Sequence, residues 1–206
     1  MKLKRLISLI PDLCVSGTAD PDIVSIGIDS RHVEPGSLFF ALKGARSDGH
    51  GFIAAATARG ATALVISEDY RGPVPDGPVI IRTLNPRSTL ALLAAEFYGN
   101  PSDSLQLIGV TGTNGKTTVT YMLQSLLRHL GVSCGVIGTV GAHFADQHAP
   151  TGATTPEAPE LHRFLRQMVD AGVTAAAMEV SSHALEWRRV DCMRFDVAIF
   201  TNLTQD

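Results

Sequence analysis

Charge, sulfur and long apolar runs are all scarce in this chain of 206 residues. Charged side chains make up 18% of it, and tryptophan occurs once. The three cysteines, Cys14, Cys134 and Cys192, lie far apart and form no metal-ligand spacing, so buried free thiols are the expectation. No stretch approaches the roughly 18 consecutive apolar residues of a membrane-crossing helix, and membrane insertion is not expected. The basic start, Met-Lys-Leu-Lys-Arg, is followed by an apolar run only from Leu6 to Ile10. Pro11 and Asp12 end it, which is too short for a signal-peptide core. Net charge is −3 without a basic cluster, which argues against nucleic acid as a partner. There is no internal repeat and no low-complexity tract. A cytoplasmic monomer acting on small molecules is the expectation.

What is present is 45% hydrophobic residues, enough for a core in one or two domains. Residues 1–100 read as a small α/β domain. Leu3 to Ile10 looks helical, Ile23 to Asp29 and Ser37 to Leu42 look extended, and Phe52 to Arg59 is an alanine-rich helix stopped by Gly60. Leu64 to Ser67 and Val79 to Arg82 read as short buried strands, and Pro86 to Tyr98 as a helix. The cluster Gly99-Asn100-Pro101 marks a domain boundary. Residues 101–206 alternate strand and helix: strands at Leu105 to Val110, Ser133 to Val140, Thr174 to Val180 and Asp196 to Leu203, helices at Thr117 to Leu130 and Glu157 to Ala171. Such alternation predicts an α/β class with a parallel sheet covered on both faces.

The strongest signal is Gly-Val-Thr-Gly-Thr-Asn-Gly-Lys-Thr-Thr at residues 109–118. An apolar strand leads into it. A helix leaves it with Val119, Met122, Leu123, Leu126, Leu127 and Leu130 on one stripe. Glycines let the backbone wrap an anion, and the N–H groups at a helix start point at it. A helix end carries only about half a charge; Lys116 adds a whole one, and the Thr117 hydroxyl suits Mg²⁺. The strict pattern G-x-x-x-x-G-K-[ST] wants glycine where Val110 stands. A nucleoside triphosphate is the expected ligand.

Glu179 closes the third strand of this half, where ligands bind in parallel sheets. An acidic group there serves a nucleotide-bound cation; the competing reading is a solvated strand-end glutamate. Ser181, Ser182 and His183 follow, but no G-x-S-x-G elbow is present, which leaves polar contacts or helix capping. Thr154-Thr155-Pro156 precedes a helix and reads equally as a cap or as a substrate contact. Asp29-Ser30-Arg31 ends an early strand and is either a ligand contact or a capped turn. Arg188 and Arg189 suit phosphate or carboxylate, or solvent.

Taken together, Asp29-Ser30-Arg31, the Gly-Ala-Arg-Ser-Asp-Gly of 44–49, the loop of 111–117, Thr154-Thr155-Pro156, Met-Glu-Val-Ser-Ser-His-Ala-Leu of 178–185 and Thr-Asn-Leu-Thr-Gln-Asp of 201–206 resemble the Mur ligases of peptidoglycan synthesis. Among these the resemblance is to the UDP-N-acetylmuramoyl-tripeptide synthetases (MurE type), and it runs from about Ile26 to Asp206. It implies a UDP-muramoyl-binding domain at 1–100 and the first part of an ATP-binding ligase domain at 101–206. Gly112, Thr113, Asn114, Gly115, Lys116, Thr117 and Thr118 would bind ATP, and Thr117 and Glu179 would hold Mg²⁺. Lys116 and Glu179 would serve catalysis. Ser30, the loop from Ala45 to Ser47, Thr154, Thr155, Ser181 and Arg189 would contact the UDP-N-acetylmuramoyl-dipeptide, to which an amino acid is joined. Trp187 stands where some members have a substrate-binding glutamine. An indole cannot supply both donor and acceptor, so that role is not carried over. The family continues beyond the equivalent of Asp206, so a fragment inactive by itself is expected.

Overall fold

The computed structural model describes residues 1–10, 13–45 and 47–204. Pro11 and Asp12, which end the short N-terminal apolar run, Arg46 of the 44–49 motif, and Gln205 and Asp206 of the last motif lie outside the described residues. Contacts group into two compact units, Met1–Leu93 and Ala94–Asp206, with the division inside the helix Pro86–Phe97.

The first unit runs α1 (Leu3–Ile7), β1 (Cys14–Ser16), β2 (Ser25–Gly27), β3 (Ser37–Phe40), α2 (Ile53–Ala58), β4 (Ala63–Ser67), β5 (Val79–Thr83) and the start of α3 (Pro86–Phe97). Its sheet has the order β1-β5-β4-β3-β2, parallel throughout except for β1. Leu38 to Phe40 and Ala63 to Ile66 are buried without a break, because a parallel strand covered on both faces has no polar side. Strand β1 escapes a sequence reading because all three of its residues are exposed; its backbone pairs with β5, and no buried side chain marks it. Cys14 sits there in the open, and Cys192 is exposed in a turn at φ +63°. The expectation of buried thiols therefore holds only for Cys134.

The second unit continues with β6 (Gln106–Thr111), α4 (Lys116–His129), β7 (Cys134–Gly138), β8 (Gly141–Phe144), β9 (Gln147–Ala149), α5 (Ala158–Asp170), β10 (Ala175–Glu179), α6 (Ser182–Glu186) and β11 (Val197–Phe200). The sheet order is β11-β6-β10-β7-β8-β9, with the first four strands parallel. The expected single strand Ser133 to Val140 stops instead at Gly138. The chain then reverses into the antiparallel β8–β9 hairpin. Gly141 permits the reversal: its φ is +128°, and a Cβ there would lie 2.7 Å from the Ala149 carbonyl oxygen.

Alternation along β10 sorts the two faces. Ala176 and Met178 join Leu107, Ile137 and the α5 residues Leu161, Phe164, Leu165 and Met168 in one core. Ala175 and Ala177 face the other way with Cys134, against Leu123 and Leu127 of α4. The apolar stripe expected on α4 is thus split. Leu123 and Leu127 pack on the sheet, while Met122, Leu126 and Leu130 are exposed. Among the described residues no helix is long and apolar enough to cross a membrane.

Candidate active site

Glu179 follows Ala175 and Ala177 in the period of two, so its side chain emerges on the face of the sheet that α4 covers. Strand β6 ends beside it, with Glu179 paired to Val110, and feeds the glycine turn that opens α4. The first turn of α4 is thereby set over the carboxylate. Thr117 Oγ1 donates to Glu179 Oε1 at 2.9 Å. Glu179 is only 1% exposed, so the solvated strand-end reading is overturned.

The rest of the carboxylate is satisfied from β7's end. Thr139 N–H donates to Oε1 at 2.9 Å and Thr139 Oγ1 to Oε2 at 3.2 Å. The carboxylate in turn raises the pKa of Tyr121 on α4, adding to the larger effect of burial. Thr139 Oγ1 also lies 3.0 Å from Thr154 Oγ1. Thr155, fully buried, donates to the Glu179 carbonyl at 2.9 Å and accepts from Ser181 N–H at 3.0 Å. Its hydroxyl therefore joins two loops and does not cap α5, whose N-cap residue Glu157 makes no side-chain cap bond. Ser181 caps α6, accepting from Ala184 N–H at 3.2 Å. Arg189 donates to the Thr155 carbonyl at 2.8 Å and pairs with Glu157 at 2.9 Å. Arg188, by contrast, is exposed at φ +56° and reaches Asp191.

In the loop, Lys116 Nζ donates to the carbonyls of Gly112 and Thr113 at 2.6 and 2.9 Å. Thr113 N–H donates to the Asn202 carbonyl, and Asn114 N–H to Asn202 Oδ1. The N–H groups of Gly115, Lys116, Thr117 and Thr118 have no acceptor among the described residues. Four convergent N–H groups, a lysine and open space above Gly115, where a Cβ would meet nothing within 4 Å, fit a polyphosphate. No cluster of three or more His, Cys, Asp or Glu exists among the described residues. A cation here would be held by Thr117 and Glu179 and completed by phosphate oxygens and water, as suits Mg²⁺ and not zinc.

Second-unit residues singled out by sequence are thus brought into one network: Thr117, Glu179, Thr154, Thr155, Ser181 and Arg189. Ser30 belongs to the first unit and lines its own open cleft of about 440 Å³ with Ile28, Asp29, Arg31, Ser47 and Phe52. Asp29 caps the short 3-10 helix Ser30–His32 and binds Arg31 through both carboxylate oxygens. That guanidinium holds the Asp29 carboxyl down at about 2. Sequence reasoning missed Gly138 and Thr139, and it singled out Thr201 and Asn202 only as part of the 201–206 motif, without a role. The usable signal for Gly138 and Thr139 is position, since Gly138 ends a parallel strand and Thr139 follows it.

Residues 110–206 match the Mur ligase middle domain, and residues 22–98 match the Mur ligase family catalytic domain. Over all 206 residues the chain is 47% identical to a UDP-N-acetylmuramoyl-L-alanyl-D-glutamate--2,6-diaminopimelate ligase of Geobacter sulfurreducens, covering 40% of that protein. It is 48% identical to a protein of the same name from Geobacillus thermodenitrificans, covering 41%. The chain thus spans about two fifths of the length of the curated relatives it matches. A solved ligase of that name superposes over the whole chain and 41% of its own, with a TM-score of 0.81 at 28% identity. MurF ligase from Thermotoga maritima in complex with ADP superposes over 86% of this chain and 37% of its own, with a TM-score of 0.58 at 27% identity. With both halves matched in order and the phosphate loop and Glu179 in one network, the chain belongs to the Mur ligase family.

Proposed function

We propose that the protein carrying this chain is an ATP-dependent amide ligase. It adds the third amino acid, diaminopimelate or lysine, to UDP-N-acetylmuramoyl-L-alanyl-D-glutamate in peptidoglycan synthesis. The observation that carries this reading is the Thr117–Glu179 hydrogen bond beside four N–H groups without acceptors. The relatives' names favour diaminopimelate, and the ADP complex of a structural neighbour favours ATP.

In this reading the N–H groups of Gly115 to Thr118 receive the β- and γ-phosphates of ATP, and Lys116 swings from the loop carbonyls onto them. Thr113 and Asn114 shape the loop around the nucleotide. Mg²⁺ held by Thr117 and Glu179 would neutralise charge on the transferring phosphoryl group. The cleft at Ser30 takes the UDP part, while Thr154, Ser181 and Arg189 serve the muramoyl-dipeptide and the buried Thr155 holds Ser181 in place behind them. The dipeptide's terminal carboxylate attacks the γ-phosphorus, ADP leaves, and an acyl phosphate forms. The amino group of the incoming amino acid then attacks the acyl carbon and expels phosphate, leaving an amide.

The test is release of ADP with each substrate omitted in turn. Release that requires UDP-muramoyl-dipeptide, and amide product that also requires the amino acid, is the expected result. ATP hydrolysis indifferent to both would sink the reading.

A further inference from the structure

Beyond Phe200 the backbone leaves β11 and continues alongside the phosphate loop, as Phe200 already pairs with Thr111. Contact is close: a Cβ on Gly112 would lie 2.2 Å from Thr201 Oγ1 and 2.8 Å from the Asn202 carbonyl oxygen. Gly112, at φ +127°, therefore has two reasons to be glycine.

Asn202 grips the loop with three groups. Its carbonyl accepts Thr113 N–H at 3.0 Å, its Oδ1 accepts Asn114 N–H at 3.1 Å, and its Nδ2 donates to the Asn114 carbonyl at 3.1 Å. Thr201 Oγ1 adds a bond to the same carbonyl at 2.7 Å. One planar amide thus meets both the N–H and the C=O of Asn114. Aspartate lacks the donor for this, and alanine lacks everything.

We infer that Asn202 is a positioning residue for the nucleotide loop. It takes up the amides of Thr113 and Asn114 and so leaves those of Gly115 to Thr118 directed at the phosphates. This rests on the nucleotide-binding reading above but makes its own claim, namely that the loop's shape is preset by the 201–202 segment. Presetting the bound geometry removes an ordering cost that the nucleotide would otherwise bear.

The test uses Asn202→Ala and Asn202→Asp in the full chain, with Thr201→Ser as a variant that keeps the hydroxyl. Amide hydrogen exchange is read at Thr113 and Asn114 without nucleotide, and MgADP affinity by calorimetry. Loss of two side-chain hydrogen bonds predicts roughly tenfold weaker MgADP binding for Asn202→Ala. Asn202→Asp should lose more, because a carboxylate joins an anion site, and Thr201→Ser should stay near the parent. Exchange at Asn114 should rise by about tenfold while the strand amides of β6 keep their protection. Unchanged exchange at Asn114 in a folded Asn202→Ala overturns the inference whether or not nucleotide binds. Absence of MgADP binding by the parent chain overturns the nucleotide reading and leaves the exchange result to judge whether Asn202 presets the loop. Should Asn202→Ala fail to fold, Thr201→Val against Thr201→Ser decides on the same two readouts.

Discussion

A Cβ on Gly138 would lie 2.1 Å from Oε1 of Glu179: the carboxylate occupies the space that any other residue's side chain would need. Gly138→Ala is therefore expected to push Glu179 off Thr117 while leaving most of the unit folded. Displacement of a reacting-site group by about 1 Å can cost about 10²-fold in rate. Steady-state ligation with Mg²⁺ varied is the check. A Gly138→Ala enzyme with ordinary Mg²⁺ dependence and rate would contradict the geometry.

Lys116→Ala removes the one full positive charge that the loop supplies. Deleting a preorganised charge contact typically lowers turnover about 10²–10³-fold, so ligation should become unmeasurable. The two hydrogen bonds that Lys116 makes are to half-buried loop carbonyls, so circular dichroism and melting should hardly move. Near-normal turnover would remove Lys116 from the mechanism.

Thr155→Val keeps the shape of a fully buried side chain and deletes its hydroxyl. Ser181 N–H then loses its acceptor and the Glu179 carbonyl its donor. Stranding buried polar groups costs about 1–3 kcal/mol each. Urea denaturation should show a loss of about 2–6 kcal/mol for the two groups together, and Thr155→Ser should recover most of it.

His162 on α5 is fully buried, and neither ring nitrogen has a hydrogen-bond partner among the described residues. Burial lowers its pKa from 6.5 to about 4, which means that the folded state holds the ring neutral. As the pH falls, the unfolded chain takes up this proton first. The contribution is therefore complete above about pH 6.5 and is lost progressively down to about pH 4. At 1.36 kcal/mol per pKa unit the total is about 3 kcal/mol. His162→Leu should flatten the fall in stability between those limits, measured as the difference between denaturation curves of the two proteins. A parallel pH profile in the variant would place the proton elsewhere.

Elements built on buried periodicity were legible: β6, α4 and β10 fall within a residue of where apolar runs and glycines put them. Strand β1 and the β8–β9 hairpin were not: β1 and β9 are edge strands with no buried side chain, and the four-residue β8 offers only Ala142 and Phe144 as a buried apolar record. The site divides in the same way. Lys116, Thr117 and Glu179 carry chemistry in their own side chains and stand out. Thr139 and Asn202 matter through which carboxylate or amide they meet, and such partners are set by strand order. The split stripe of α4 has a similar cause, since Leu123 and Leu127 differ from Met122 and Leu126 in which way the helix is turned, not in their chemistry.

The alanines at 175 and 177 have a meaning beyond filling space. They form the layer on which Leu123 and Leu127 rest, and so they gauge the height at which α4 rides above the sheet. The reach from the helix's first turn down to Glu179 is a single hydrogen bond of 2.9 Å, which tolerates no thicker spacer. A larger residue two or four positions upstream on the strand would act as a wedge. It would lift the threonine from the carboxylate without touching either, and the two halves of the proposed cation site would part company.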